Sequence, residues 1–219
     1  MQNQTILDEP ESYDFNVFGI LKEAFKRTDG VKLYFLGSVI ILLIISFTLG
    51  LILETLLPSK ESSLNVFITT LLSAWVSVPI MTGITMLGID RAREKEILVP
   101  SIFNYYSFSL TILLAYMLMS LFLTIGFLLL IIPGVYLSVS YIYTYPLIVD
   151  KGLGVMEAME LSRKTITRRW FKVFFLLLTN TILLVISAIP FGIGLIWSLP
   201  TMYISYGLLY HHLFDEEEE

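Results

Sequence analysis

Four long stretches of this chain carry no Asp, Glu, Lys or Arg, and they constrain its fold more than any other feature. They run from Leu33 to Leu53, Ser62 to Ile89, Ile97 to Val149 and Val173 to Phe214. A helix needs roughly 20 apolar residues to cross the hydrocarbon layer of a bilayer. The first two stretches therefore hold one span each and the last two hold two each. The sequence predicts an all-α integral membrane bundle with six transmembrane helices.

Two turn signals divide the longer stretches into pairs of helices. They are Ile132-Pro133-Gly134 in the third stretch and Ile189-Pro190-Phe191-Gly192 in the fourth. Proline lacks a backbone donor and glycine tolerates turn conformations, so we expect a helix to end at each signal. The six spans then form three hairpins, and we expect them near residues 33–57, 64–89, 105–131, 134–149, 171–189 and 192–213.

The positive charges predict how these spans are oriented. Of the 14 Lys and Arg residues, only Lys60 lies in a loop on the opposite side from the others. Lys and Arg in short loops are retained on the cytoplasmic side of a membrane. We therefore expect a multi-pass protein of the bacterial cytoplasmic membrane with both termini in the cytoplasm.

The two ends of the chain are acidic and differ in composition from the rest. Residues 1–14 and 215–219 are rich in Asp and Glu and poor in apolar residues, which is typical of disordered segments. We expect residues 15–214 to form a single membrane domain.

Two segments outside the spans have the pattern of amphipathic helices that lie in the membrane interface. The first covers residues 15–29, and we expect it to shield the entrance to the first span. The second covers residues 153–169, with Met159 and Ile166 on its apolar face. Basic residues near a membrane surface attract anionic lipid headgroups, and tryptophan prefers headgroup depth. The predicted headgroup-binding residues are Arg163, Lys164, Arg168, Arg169, Trp170 and Lys172. The alternative is that these charges only set the topology.

Hydroxyl groups form stripes on the fourth and sixth predicted spans, near their cytoplasmic halves. The stripe residues are Ser138, Tyr141, Tyr145, Tyr203, Tyr206 and Tyr210. They are candidates to line a groove between these two spans. The alternative is that they bond across helices or belong to the aromatic belt of the membrane interface.

The residues usually needed for catalysis or metal binding are missing from the spans. No Asp, Glu, Lys or Arg lies at mid-depth, which argues against a proton-coupled transporter. The chain has no cysteine, and the adjacent His211 and His212 point about 100° apart on a helix, so one metal ion cannot easily bind both. We expect no catalytic residue, no metal site and no cofactor.

The stretch from Gly126 to Val173 carries a family resemblance. It contains Pro133-Gly134, Pro146, Asp150-Lys151, an amphipathic segment with Glu157-Ala158 and Ser162, and the cluster Arg168-Arg169-Trp170. In this order it resembles the bacterial YciC-like membrane proteins and the membrane domain found beside some glycerophosphodiester phosphodiesterases. The resemblance implies a cytoplasmic-membrane protein without an established reaction. It does not imply phosphodiesterase activity, because the metal-binding acids of that catalytic domain are not found here.

The sequence therefore favours a non-enzymatic membrane protein that associates with lipid, organises the membrane or stabilises a partner. The alternative is a channel or carrier for lipid or small neutral molecules, built around the tyrosine stripes. The expected partners are anionic membrane lipids, with a homo-oligomer or another membrane protein as further candidates. No nucleic-acid partner is expected.

Overall fold

The protein is all-helical, as predicted. The computed structural model describes residues 14–57 and 62–215, and every regular element in these ranges is a helix. The predictions for the acidic ends and for the loop with Lys60 lie largely outside the described residues. The helices are α1 (Val17–Arg27), α2 (Lys32–Leu56), α3 (Ser63–Ala92), a 3-10 helix (Val99–Phe108), α4 (Ser109–Leu129), α5 (Ile131–Ser140), α6 (Thr144–Asp150), α7 (Val155–Thr167), α8 (Trp170–Ala188) and α9 (Leu195–Phe214).

Several of these helices are long and apolar enough to cross a membrane, which is the mark of a multi-pass membrane protein. In the described part of the chain there are five such stretches, namely Lys32–Leu56, Ser63–Ala92, Val99–Leu129, Ile131–Asp150 and Trp170–Ala188. Helix α9 has 20 residues but is not among them, because its tyrosines and histidines lower its mean hydropathy. The sixth crossing therefore stays a prediction.

The fourth predicted span is shaped differently from the expected single helix. Helix α4 ends at Leu129, and the next residue, Leu130, is extended at φ −165° and ψ 156°. The predicted turn signal with Pro133 therefore lies in the first turn of α5. Proline is tolerated there because the first turn of a helix needs no backbone donors. A second turn at residues 141–143 separates α5 from α6. Pro146 explains this break, since it has no N–H to bond to the carbonyl four residues earlier.

The other predicted connections lie close to their expected positions. The chain turns at residues 189–194 between α8 and α9, with Phe191 at φ 52° and Gly192 at φ 75°. The two amphipathic segments form α1 and α7, each slightly shorter than predicted.

Helices α3 and α9 form the centre of the bundle. Both continue through an internal proline, Pro79 in α3 and Pro200 in α9. Ten of the 20 residues of α9 are buried, whereas α2 buries only Phe35, Ser38 and Leu53 among its 25. The buried position of α9 explains how it tolerates tyrosines, and the exposed apolar surface of α2 suits contact with lipid.

A hydrogen bond within the bundle links α8 to α9. The buried amide of Asn180 donates to the Ser205 hydroxyl at 2.9 Å and to the Leu176 carbonyl at 3.1 Å. We expect a double-mutant cycle with Asn180→Ala and Ser205→Ala to give a coupling of about 0.6 kcal/mol, the average for such bonds in membrane proteins. The measurement is unfolding of the purified protein in mixed micelles. Strictly additive effects of the two substitutions would contradict this expectation.

Candidate functional site

The basic loops of the sequence meet at one end of the bundle, which we call the basic end. Arg27, at the end of α1, donates to the Ala92 carbonyl at the end of α3 at 2.7 Å. Arg91 donates in return to the Arg27 carbonyl at 3.0 Å. The start of α8 lies at the same end, because Lys172 bonds to Asp14, just before α1. These direct contacts place the charged loops at the same end of the bundle.

Helix α7 covers part of the basic end with its apolar side turned inward. Met159 is only 3% exposed and Ile166 is fully buried. This side packs against α4, α5 and α6, so protein rather than lipid covers most of the face that the sequence placed in the membrane interface. The charged side of α7 faces outward.

The first two predicted headgroup-binding residues share one carboxylate. Arg163 donates to both oxygens of Glu160, at 2.8 and 2.9 Å, and Lys164 lies 3.6 Å from the same group. The bonds from Arg163 and the two positive charges lower the pKa of the Glu160 carboxyl. Two cations facing one anion leave this part of α7 with a net positive charge.

Trp170 anchors the junction between α7 and α8. Its indole N–H donates to the Tyr136 carbonyl at 3.2 Å, and its ring stacks on Phe174 at 5.1 Å between centroids. The next residue, Phe171, is 72% exposed, and Phe175 one turn later is 54% exposed. Since Arg168 and Arg169 immediately precede this aromatic group, positive charge and exposed aromatic surface meet here.

Beside this junction, a groove runs between the start of α1 and the side of α8. Its volume is about 670 Å³, and its walls include Phe18, Lys172, Phe175 and Thr179. At its mouth the Lys172 ammonium bonds to the Asp14 carboxylate and to the Phe15 carbonyl, the latter at 3.3 Å. Arg169 approaches the same carboxylate at 3.8 Å. Two of the remaining predicted headgroup-binding residues, Lys172 and Arg169, thus lie at the mouth of one groove.

The tyrosine stripes are placed less uniformly than the sequence suggested. Ser138 is exposed and donates to the Val135 carbonyl at 2.8 Å, whereas Tyr141 and Tyr203 are each only 8% exposed. Tyr145 and Tyr206 are half-buried.

Tyr143, which sequence reasoning did not select, contacts the stripe on α9 from the turn before α6. Its hydroxyl donates to the Tyr206 carbonyl at 3.0 Å, and its ring packs edge-on against Tyr210 at 5.4 Å. Both rings are almost fully buried. Packed rings occupy the place where α6 and α9 approach each other, and the channel or carrier alternative remains a prediction without a specific observation in its favour.

A network of charged residues, which sequence reasoning also missed, ties together the ends of α3, α6 and α9. Arg93 donates two bonds to Asp150, at 2.7 and 2.8 Å, and two to Asp215, both at 2.7 Å. Tyr210 donates to Asp150 at 2.9 Å, and Lys151 lies 3.5 Å from Asp215. The side chains of Arg93 and both aspartates are only about 15% exposed. We call this group the Arg93 network.

The electrostatics of the Arg93 network favour its charged form. Hydrogen bonds from the guanidinium to Asp150 and Asp215 raise the pKa of Arg93 above its ordinary value. Burial alone would raise the pKa of the Asp215 carboxyl, but the bonds and charge of Arg93 outweigh burial and lower it. The sequence offered only separate signals: Arg93 was attributed to topology, Asp150-Lys151 belonged to the family resemblance, and Asp215 belonged to the acidic end expected to be disordered.

Among residues 14–57 and 62–215, no group of three or more His, Cys, Asp or Glu side chains is arranged to hold a metal ion. His211 bonds to Asp215 at 2.9 Å within the Arg93 network. Comparisons with protein-family models, curated proteins and solved structures find no match to this chain, so the family resemblance stays a prediction.

Proposed function

We propose that this protein is a non-enzymatic, lipid-associated protein of the bacterial cytoplasmic membrane that binds anionic phospholipid at its basic end. In this proposal the basic end and both termini face the cytoplasm, and α9 completes a six-span bundle. The anionic surface of the cytoplasmic leaflet then lies beside the basic residues.

One observation carries the proposal, namely the meeting of cations and exposed aromatic rings at the junction of α7 and α8. Arg168 and Arg169 precede the stacked Trp170, and the exposed Phe171 and Phe175 continue onto the outer surface of α8. Phospholipids present an anionic headgroup next to apolar chains, and tryptophan concentrates at this boundary in membrane proteins. The junction of α7 and α8 has the same order, with the charged Arg168 and Arg169 first, then Trp170, and then the exposed apolar rings of Phe171 and Phe175.

Removing positive charge from this junction is expected to weaken binding to anionic bilayers. We expect the triple substitution Lys164→Gln, Arg168→Gln and Arg169→Gln to lower the retention of phosphatidylglycerol by at least about tenfold, since each cation near a lipid surface contributes about 1 kcal/mol. Native mass spectrometry of the purified protein from mild detergent, with equal parts phosphatidylglycerol and phosphatidylcholine, measures this retention.

A second triple substitution provides a matched control for the loss of charge. Lys22, Lys26 and Lys95 are exposed cations at the same end of the bundle but outside the α7–α8 junction. Their replacement by glutamine is expected to change phosphatidylglycerol retention much less. Equal losses in the two variants would show that only total charge matters, and no preference for phosphatidylglycerol in the unmodified protein would refute the proposed function.

A further inference from the structure

The groove between α1 and α8 combines a charged mouth with apolar walls. Lys172 and Arg169 stand at the mouth, and Phe18 and Phe175 form walls that are 77% and 54% exposed. Its volume of about 670 Å³ falls within the range of small-molecule sites. The surface outside the groove is the outer, apolar side of α8, which is a candidate membrane-spanning helix.

The mouth of the groove already contains one anionic group from the protein itself. The Asp14 carboxylate is bonded to Lys172 and lies 3.8 Å from Arg169. Asp14 is 63% exposed, and it belongs to the segment before α1 rather than to a helix. Two cations, Lys172 and Arg169, therefore face this carboxylate at the mouth.

We propose that this groove binds one anionic glycerophospholipid, whose phosphate replaces the Asp14 carboxylate between Arg169 and Lys172 while an acyl chain lies along Phe175 and Thr179. Asp14 is then an internal competitor that occupies the headgroup position when no lipid is bound. This inference rests on the proposed function, and it adds a defined site and a competing side chain.

Removing the charge of Asp14 tests whether lipid binds at this specific site or only to a basic surface. We expect Asp14→Asn to raise phosphatidylglycerol retention about fivefold, because one opposing charge at the mouth is removed. Lys172→Gln is expected to lower it by a similar factor. Adding Asp14→Asn to Lys172→Gln is expected to raise retention less than Asp14→Asn does in the unmodified protein, since only Arg169 is then left facing Asp14. An unchanged Asp14→Asn variant would overturn the competitor role.

The acyl-chain part of the site is tested without changing any charge. Thr179→Trp places a large ring in the groove and is expected to lower phosphatidylglycerol retention several-fold. Thr181 is an exposed threonine on the same helix outside the groove, so Thr181→Trp is the matched control and is expected to retain lipid like the unmodified protein. Equal retention by the two tryptophan variants would overturn the placement of the chain.

The outcomes distinguish this inference from the proposed function. Native mass spectrometry of the full chain measures all variants under the same lipid mixture. One outcome is that the unmodified protein prefers phosphatidylglycerol while the Asp14, Lys172 and Thr179 variants all retain it equally well. In that case the groove is not the lipid site, and the proposed function stands. Inorganic phosphate alone is not expected to displace the lipid, and displacement would instead identify a site for a soluble anion. No preference for phosphatidylglycerol at all would refute both.

Discussion

Replacing Arg93 with alanine is expected to lower the free energy of unfolding by about 3 kcal/mol. Arg93 donates four hydrogen bonds to Asp150 and Asp215. Its removal leaves these two poorly exposed carboxylates without their hydrogen-bonded cation, and Lys151, which lies 3.5 Å from Asp215, replaces none of the four bonds. Unpaired charge in a site shielded from water costs more than the loss of an exposed ion pair. Unfolding of the purified protein by a denaturing detergent, added to mixed micelles, measures the change.

A matched arginine substitution and a charge-balanced variant test the cause of this effect. Arg163 also makes a bidentate contact with a carboxylate, that of Glu160. However, the Arg163 side chain is 36% exposed, and Glu160 lies on the same helix. We expect Arg163→Ala to cost at most about 0.5 kcal/mol. Adding Asp150→Asn and Asp215→Asn to Arg93→Ala is expected to restore part of the lost stability. Similar small costs for Arg93→Ala and Arg163→Ala would mean that the Arg93 network does not hold the helix ends together.

Replacing Gly207 with alanine is expected to destabilise the bundle by about 3 kcal/mol, the upper end for overpacking. A Cβ atom at this position would lie 2.1 Å from the Gly88 carbonyl oxygen, because α3 and α9 cross with their backbones in contact. Neither backbone can give way as a flexible side chain would, so the two central helices must move apart. Small residues commonly permit such close crossings in membrane proteins. The same unfolding titration measures the loss.

Gly50 provides the control for this prediction. It lies within α2, where a Cβ atom would meet nothing within 4 Å. Gly50→Ala is expected to leave stability unchanged or to raise it by up to about 1 kcal/mol, as alanine favours helix. If Gly207→Ala and Gly50→Ala had the same effect, close packing of α3 on α9 would not contribute to stability.

The sequence predicted the all-helical fold because the signals for helices are local. Charge-free runs mark most of the membrane-crossing stretches, and amphipathic spacing placed α1 and α7 within a few residues. The break before Pro146 was harder to place, since the same residue suits either a kinked helix or the first turn of a new one. Proline chemistry predicts an interruption, but the packing of neighbouring helices decides its form.

The candidate sites were less predictable because they join residues that are distant in the chain. Lys172 was selected from its local basic cluster, but its partner Asp14 lies 158 positions away in a segment expected to be disordered. Tyr143 was overlooked because no helical stripe includes it, although it contacts Tyr206 and Tyr210 of the stripe on α9. Only the arrangement of helices reveals which polar groups meet.

The amino-acid sequence is enough to predict an all-α membrane bundle with its positive charge concentrated in a few loops. These properties depend on the length of apolar runs and on charge counts, which are readable residue by residue. The pairing of Arg93 with Asp150 and Asp215, and that of Lys172 with Asp14 beside α8, depend on the tertiary structure. The physical reason is that an ion pair forms between the helix ends that packing brings together, and packing is a property of the whole bundle.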